Sequence, residues 1–287
     1  MNSNKLVLVE CPRDAMQGWS TFIPTATKIA YLNQLFKVGF DVLDFGSFVS
    51  PKAIPQLADT ATVLEHLDLS STDTKLLAIV ANLRGAEQAI QYEQIQYIGF
   101  PFSISETFQL RNTNKTIELS LEEVEKMQVL CVAHNKELVL YISMAFGNPY
   151  GDEYNAALAI HWFQQIANLG ITTIAMADTV GVAQPDGITY IFDQLVQKFP
   201  QLEIGAHFHS TETTRTEKLD AAWDSGCRRF DSALLGVGGC PMAKDDLVGN
   251  MATETLLSWA RNRNISVDIN KEELTKAMIM ASEIFVH

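Results

Sequence analysis

Residues 138–146 read LVLYISMAF, residues 155–169 read NAALAIHWFQQIANL and residues 172–177 read TTIAMA. The first and third are near-continuous apolar runs of strand length, the pattern of strands buried on both faces. The segment between them is an amphipathic helix. Strand, helix and strand in this order make a βαβ unit, whose two strands run parallel.

The same unit recurs outward from this stretch. Before it, strands are expected at 6–11, 40–46, 75–81 and 97–102. Helices follow them at 25–38, at 54–67, from 85 and, after a longer insertion, at 121–135. After it, strands are expected at 202–209 and 228–234, with helices at 187–198, at 212–225 and from about 246. Eight βα units in 287 residues predict an α/β fold, a (β/α)8 TIM barrel. A doubly wound open sheet is the competing α/β arrangement, and the absence of a GxGxxG after the first strand favours the barrel. An additional C-terminal helix at 271–285 lies outside the eight units and either closes the barrel or packs on a neighbouring subunit. No linker or low-complexity segment interrupts the pattern, so residues 1–287 are read as a single catalytic domain.

Composition narrows the function. A formal charge of −13 argues against nucleic acid as a general partner, while leaving room for an anionic small substrate in a local cationic pocket. No 18-residue apolar run exists, so no membrane span is expected. The first residues run directly into a strand without the apolar stretch of a signal peptide. Four cysteines, Cys11, Cys131, Cys227 and Cys240, lie far apart without a CxxC pair. That pattern argues against a disulfide framework and fits a reducing, cytoplasmic location.

In a barrel of this kind chemistry sits at the C-terminal ends of the strands. The first strand ends in Arg13-Asp14, the second in Asp44 and Ser47, the sixth in Asp178-Thr179 and the seventh in His207 and His209. The eighth leads into Gly236-Val237-Gly238-Gly239-Cys240-Pro241 and then Asn250. Residues 207 and 209 are two apart on a strand and project to one face. They read equally as two metal ligands or as a hydrogen-bonded pair. Asp14 and the Asn250 amide would complete a mixed N/O set suited to Mg²⁺, Mn²⁺ or a similar divalent ion. Arg13 is either half of a surface ion pair or a cation for a developing oxyanion. Cys240, on a glycine-rich loop, is either a general acid/base or a nucleophile. Cys11 lies close to the same rim. His134, His161, Cys131, Cys227 and the four tryptophans read as structural.

Together these motifs resemble the hydroxymethylglutaryl-CoA lyase family. Residues 11–17, CPRDAMQ, are similar to that family's GPRDGLQ opening. SFVSPK at 47–52, NLRG at 82–85, GNPY at 147–150, DTVGV at 178–182, GVGGCP at 236–241 and GNMATE at 249–254 follow in the family's order. The resemblance implies a divalent-metal-dependent barrel that cleaves 3-hydroxy-3-methylglutaryl-CoA, an acyl-CoA thioester, to acetoacetate and acetyl-CoA. It implies Asp14, His207, His209 and Asn250 as metal ligands, Arg13 at the enolate oxygen and Cys240 in proton transfer. Arg13, Asp14 and Cys240 are the candidate catalytic residues. Gln17, Asp44, Ser47, Asn82, Asp178 and Thr179 are the candidate substrate-binding residues. A homodimer and a place in leucine degradation are the associated expectations.

The chain also departs from the family pattern. Ala15 replaces a glycine, Asp44 a glutamate and Ser210 an aspartate; Ala175 stands at a serine position and Val139 at an arginine position. These changes bear on the acyl-CoA substrate. A lyase or condensing enzyme acting on a different 3-hydroxyacyl-CoA or 2-oxoacid is the alternative, followed by a non-catalytic acyl-CoA- or metal-binding barrel.

Overall fold

Eight parallel strands pair in sequence order and close on themselves: β1 (Val7–Glu10), β2 (Val42–Ser47), β3 (Lys75–Ile79), β4 (Ile95–Ser103), β5 (Glu137–Ser143), β6 (Thr173–Asp178), β7 (Glu203–Phe208) and β8 (Arg229–Ser232). β1 bonds both β2 and β8, which leaves no free edge. The computed structural model describes residues 5–239 and 248–285. The chain is thus a TIM barrel, as the repeated units predict.

Side chains of each strand alternate between two cores. Val9, Cys11, Val42, Leu77, Ile79, Tyr97, Val139, Tyr141 and Ala175 fill the barrel. Their neighbours, such as Leu8, Leu43, Ile98, Leu140, Ile174 and Phe230, face outward into the larger core under the helices. Apolar residues on both faces explain why the strands read as unbroken runs.

The helices are α1 (Pro12–Gln17), α2 (Thr25–Phe36), α3 (Thr60–Glu65), α4 (Leu83–Ala89), α5 (Glu106–Thr113), α6 (Ile117–Ala133), α7 (Ala156–Asn168), α8 (Pro185–Lys198), α9 (Arg215–Asp224), α10 (Thr253–Asn262) and α11 (Lys271–Ile284). Several expectations are corrected. The helix expected at 54–67 is a 3₁₀ turn at Pro55–Leu57 followed by the short α3, because the Gln56 side chain ties the turn to Ile23 N and the Trp19 and Thr21 carbonyls, and the Thr60 hydroxyl donates to the Leu57 carbonyl. The insertion after β4 holds a helix of its own, α5, capped by Ser105 and ended by Asn114 in the left-handed conformation at φ 57°. The helix expected from about 246 is α10, which starts at Thr253. Before it, Asn250 and Ala252 bridge to His209 and Ala233 in extended conformation.

α11 is the additional C-terminal helix. It packs on α2 and sets Phe285 edge-on to Trp19 and Tyr31, at 5.4 and 6.3 Å between ring centres. No helix among the described residues is long and apolar enough to cross a membrane.

Candidate active site

The polar rim residues are placed by how each strand ends. Cys11 carries β1 into α1, with Pro12 in the first turn, where a missing N–H matters least. Arg13 and Asp14 therefore sit at the barrel mouth, both buried. Closure of β1 against β8, itself beside β7, brings them to His207 and His209. One potential ligand atom from each of Asp14, His207 and His209 lies within 4.8 Å of the others.

Each imidazole is oriented from behind. His207 Nδ1 donates to Asp231 Oδ2 at 3.0 Å, and His209 Nδ1 donates to the Val248 carbonyl at 2.8 Å. A carbonyl only accepts, so the proton of His209 is on Nδ1 and Nε2 carries the free lone pair. Outer partners of this kind fix the tautomer of a metal-bound histidine. The charges agree with that use. Burial opposes ionisation of Asp14, but Arg13, His207 and His209 outweigh it and hold the carboxyl below its usual range. Burial lowers both imidazoles; the neighbouring His207 adds to that at His209, while Asp231 and Asp14 more than reverse it at His207. The residues present therefore fit a divalent cation with one carboxylate and two imidazoles.

A second cluster, Cys11, His207 and Asp231, lies deeper. Burial drives the Cys11 thiol well above its ordinary range, with Asp231, Asp44 and Asp14 adding to the rise. Asp231 is already engaged with His207. The upper cluster is the better cation site.

Arg13 is clamped in place. Its Nε and Nη2 donate to Asp44 Oδ2 at 2.9 and 2.6 Å, and its Nη1 donates to Asp14 Oδ1 at 3.1 Å and Gln17 Oε1 at 2.8 Å. Burial works against its charge, but Asp44 and Asp14 more than restore it. Arg13 is thus a fixed, permanently charged donor, as oxyanion stabilisation requires. Asp44 lies behind it, its carboxyl pushed by burial up to about 6 against the pull of Arg13.

The remaining sequence candidates divide. Gln17 and Thr179 line the same pocket as Arg13, Asp14, His207 and His209. The Asn250 amide reaches the cluster, with Nδ2 donating to Asp14 Oδ2 at 2.7 Å and to the Val237 carbonyl at 2.9 Å. Asp178 is buried beneath the rim. Its carboxylate takes the Val182 and Ala183 N–H groups and the Lys218 ammonium, so it anchors the loop after β6. Ser47 accepts from Val49 N, and Asn82 caps α4 through Gly85 N; neither lines the pocket. Cys240 lies outside the described residues.

Sequence reasoning missed four residues. Tyr141 lines the pocket with its ring edge-on to His207 at 5.6 Å, Asp231 orients His207, and Ser143 adds a hydroxyl. Lys218 ties Asp178 to the His209 carbonyl. Tyr141 and Asp231 were legible as inward positions of β5 and β8, two residues from other inward positions. Lys218 had no such signal, because a lysine on a helix normally reads as solvated surface. Apart from Asn112, the rest of the pocket wall is apolar, with Val49, Ile54, Ile79, Pro101 and Phe108 among its residues.

The HMGL-like family model matches residues 7–280. The chain is 32% identical over 266 residues to the hydroxymethylglutaryl-CoA lyase YngG of Bacillus subtilis, covering 93% of this chain and 88% of that one. It is 30% identical over 274 residues to a 3-hydroxy-3-isohexenylglutaryl-CoA/hydroxymethylglutaryl-CoA lyase of Pseudomonas aeruginosa, covering 95% and 90%. Among solved structures, an HMG-CoA lyase of A. baumannii in complex with coenzyme A and 3-methylmalate superposes with a TM-score of 0.91 at 30% identity, covering 99% and 92%.

Proposed function

The chain belongs to the HMGL-like family, and from that premise we propose that it is a divalent-metal-dependent carbon–carbon lyase cleaving 3-hydroxy-3-methylglutaryl-CoA to acetoacetate and acetyl-CoA. The observation that carries this reading is the convergence of Asp14, His207 and His209 beside the clamped Arg13 at the mouth of one pocket. Relatives over nearly the full chain are lyases acting on this substrate class.

Asp14, His207 and His209 would hold the cation, with Asn250 as a fourth ligand once its amide oxygen is turned inward. Bound there, a divalent cation would supply Lewis-acid charge that lowers the pKa of a coordinated hydroxyl. Cleavage then requires three things of the protein. The tertiary hydroxyl must lose its proton as its oxygen becomes the ketone of acetoacetate, and the Asp14 carboxylate, kept ionised by Arg13, is the acceptor at the site. The electrons of the breaking C–C bond pass to the thioester, and the Arg13 guanidinium faces the resulting enolate oxygen. The enolate carbon must gain a proton to become acetyl-CoA, the step assigned to the Cys240 thiol. Gln17 and Thr179 orient substrate, while Asp44 holds Arg13 from behind. Asp178, Ser47 and Asn82 act through the loops they pin.

Mg²⁺ or Mn²⁺ is the proposed cation. A single-domain homodimer in the cytoplasm, serving leucine degradation, completes the reading, supported by the four dispersed cysteines and the family. The test is a coupled assay. Chelator-stripped protein is given Mg²⁺ or Mn²⁺ and the HMG thioester, and acetyl-CoA release is followed. Metal-dependent release is expected. Its absence from folded, metal-binding protein would sink the substrate assignment. The apolar wall at Val49, Ile54, Ile79 and Phe108, with Val139 and Ala175 buried in the barrel, favours as second substrate a thioester with a longer apolar 3-substituent. That compound belongs in the same assay.

A further inference from the structure

Below the site the barrel interior is apolar on most of its wall, with Val9, Val42, Leu77, Val139 and Ala175. β7 and β8 nevertheless run a line of polar groups through it. Arg229 and Asp231 are two apart on β8 and share the inward face. Both are almost wholly buried, at 1% and 3% exposure. Arg229 Nη1 donates to Glu203 Oε1 at 2.7 Å, and Asp231 Oδ2 accepts from His207 Nδ1 at 3.0 Å. The Arg229 side chain passes over Gly205, where a Cβ would stand 3.1 Å from Arg229 Cδ and 3.3 Å from the Ala175 methyl. Small residues on β6 and β7 therefore make the channel it occupies.

This column is a costly thing to bury. A buried arginine gives up its hydration, and a carboxylate must offset that loss. Glu203 compensates at the outer end, where its side chain is 40% exposed. At the inner end, Arg229 Nε and Nη2, Asp231 Oδ1 and the Tyr141 hydroxyl are buried without a protein partner. Asp231 is the carboxylate that accepts from the imidazole above and whose charge the guanidinium below feels.

Resting on the reading of His207 as a metal ligand, we propose that Asp231 is the positioning residue that presents His207 Nε2 to the cation, and that Arg229 holds Asp231 in that role from the barrel floor. Asp231 on Nδ1 leaves Nε2 as the only ring nitrogen free to ligate. Arg229 places a permanent positive charge on the same inward face, two residues below.

Mn²⁺ affinity of the metal-free protein, measured by electron paramagnetic resonance and calorimetry beside thermal melts, tests this. Asp231→Asn is expected to bind Mn²⁺ about 10- to 100-fold more weakly while remaining folded. Excess Mn²⁺ should recover most of kcat, with KM for the thioester little changed. Arg229→Met is expected to lose affinity in the same direction by a smaller factor. Mn²⁺ affinity within twofold of wild type in folded Asp231→Asn overturns the proposal, and the same result in folded Arg229→Met overturns the part given to Arg229. Cys11→Ser should bind as wild type; loss there would make Asp231 a direct ligand of the deeper cluster and also overturn it. His207→Ala is the control on the premise. Unchanged affinity in that variant would mean that the ligand assignment failed rather than the positioning. If the Asp231 variant does not fold, ¹⁵N NMR of the wild-type imidazoles decides. The Nδ1–H tautomer at His207 is expected, and the Nε2–H tautomer refutes the proposal.

Discussion

Glu10 is fully buried outside the barrel wall. Its Oε1 accepts from Leu234 N at 2.8 Å and its Oε2 from Thr253 Oγ1 at 2.6 Å. It thereby joins the two ends of the segment that carries Cys240. Burial raises its carboxyl to about 8 despite both hydrogen bonds, and the Glu254 charge adds to the rise. A group raised on folding stabilises the native state fully below its unfolded pKa, near 4.5. That stability is lost as pH climbs through the folded value. The wild type is therefore expected to lose stability from pH 5 to 8. Glu10→Gln keeps both contacts without a charge and should flatten that slope, read from urea unfolding at several pH values. Parallel slopes in the two proteins would refute the assignment. Lys218 is the opposite case, a buried cation whose partners are Asp178 and the Gly181 and His209 carbonyls. Lys218→Met strands the Asp178 charge and should cost about 3–5 kcal/mol in the same measurement. A loss below about 1 kcal/mol would mean Asp178 relaxes into water. Cys240→Ala should abolish turnover with Mn²⁺ affinity intact, and normal turnover in that variant removes the thiol from the mechanism.

At the scale of the element, caps decide where helices begin. Asn155 accepts from Leu158 N at 2.8 Å and starts α7, and Asn270 accepts from Glu272 N and Glu273 N and starts α11. Both were legible, since each asparagine immediately precedes an apolar-periodic run. Asn155→Ala should destabilise the protein by about 1 kcal/mol, seen as a lower denaturant midpoint at unchanged slope. No change in midpoint would show that α7 is held by packing alone. The segment from 54 to 67 read as one helix because its apolar spacing is helical. The Gln56 side chain decides otherwise. Gln56 accepts from Ile23 N and donates to the Trp19 and Thr21 carbonyls, stitching the turn to the loop after α1. Such a bond to a distant backbone leaves no mark on local periodicity.

Across the whole molecule, metal and fold are coupled. A cation that binds only the native site at 100 times its Kd adds about 2.7 kcal/mol of stability. Chelation should therefore lower the Tm and abolish cleavage together, both returning with Mg²⁺ or Mn²⁺. A Tm indifferent to chelator and metal would argue against the Asp14–His207–His209 centre.

By itself, the sequence determined the number and order of the strands, because near-continuous apolar runs of strand length and helices on a 3.6-residue period are local properties. It also determined the rim, since a strand's last residues must lie at one end of a parallel barrel. Tertiary structure alone decided which rim groups meet. Asp14 and His209 come together only because β1 closes on β8, and Asp178 turns from pocket to loop because Lys218 reaches it from α9. Arg229 and Asp231 gained their meaning in the same way. Spacing in the chain fixes the face a side chain takes, while closure of the sheet fixes what stands opposite it.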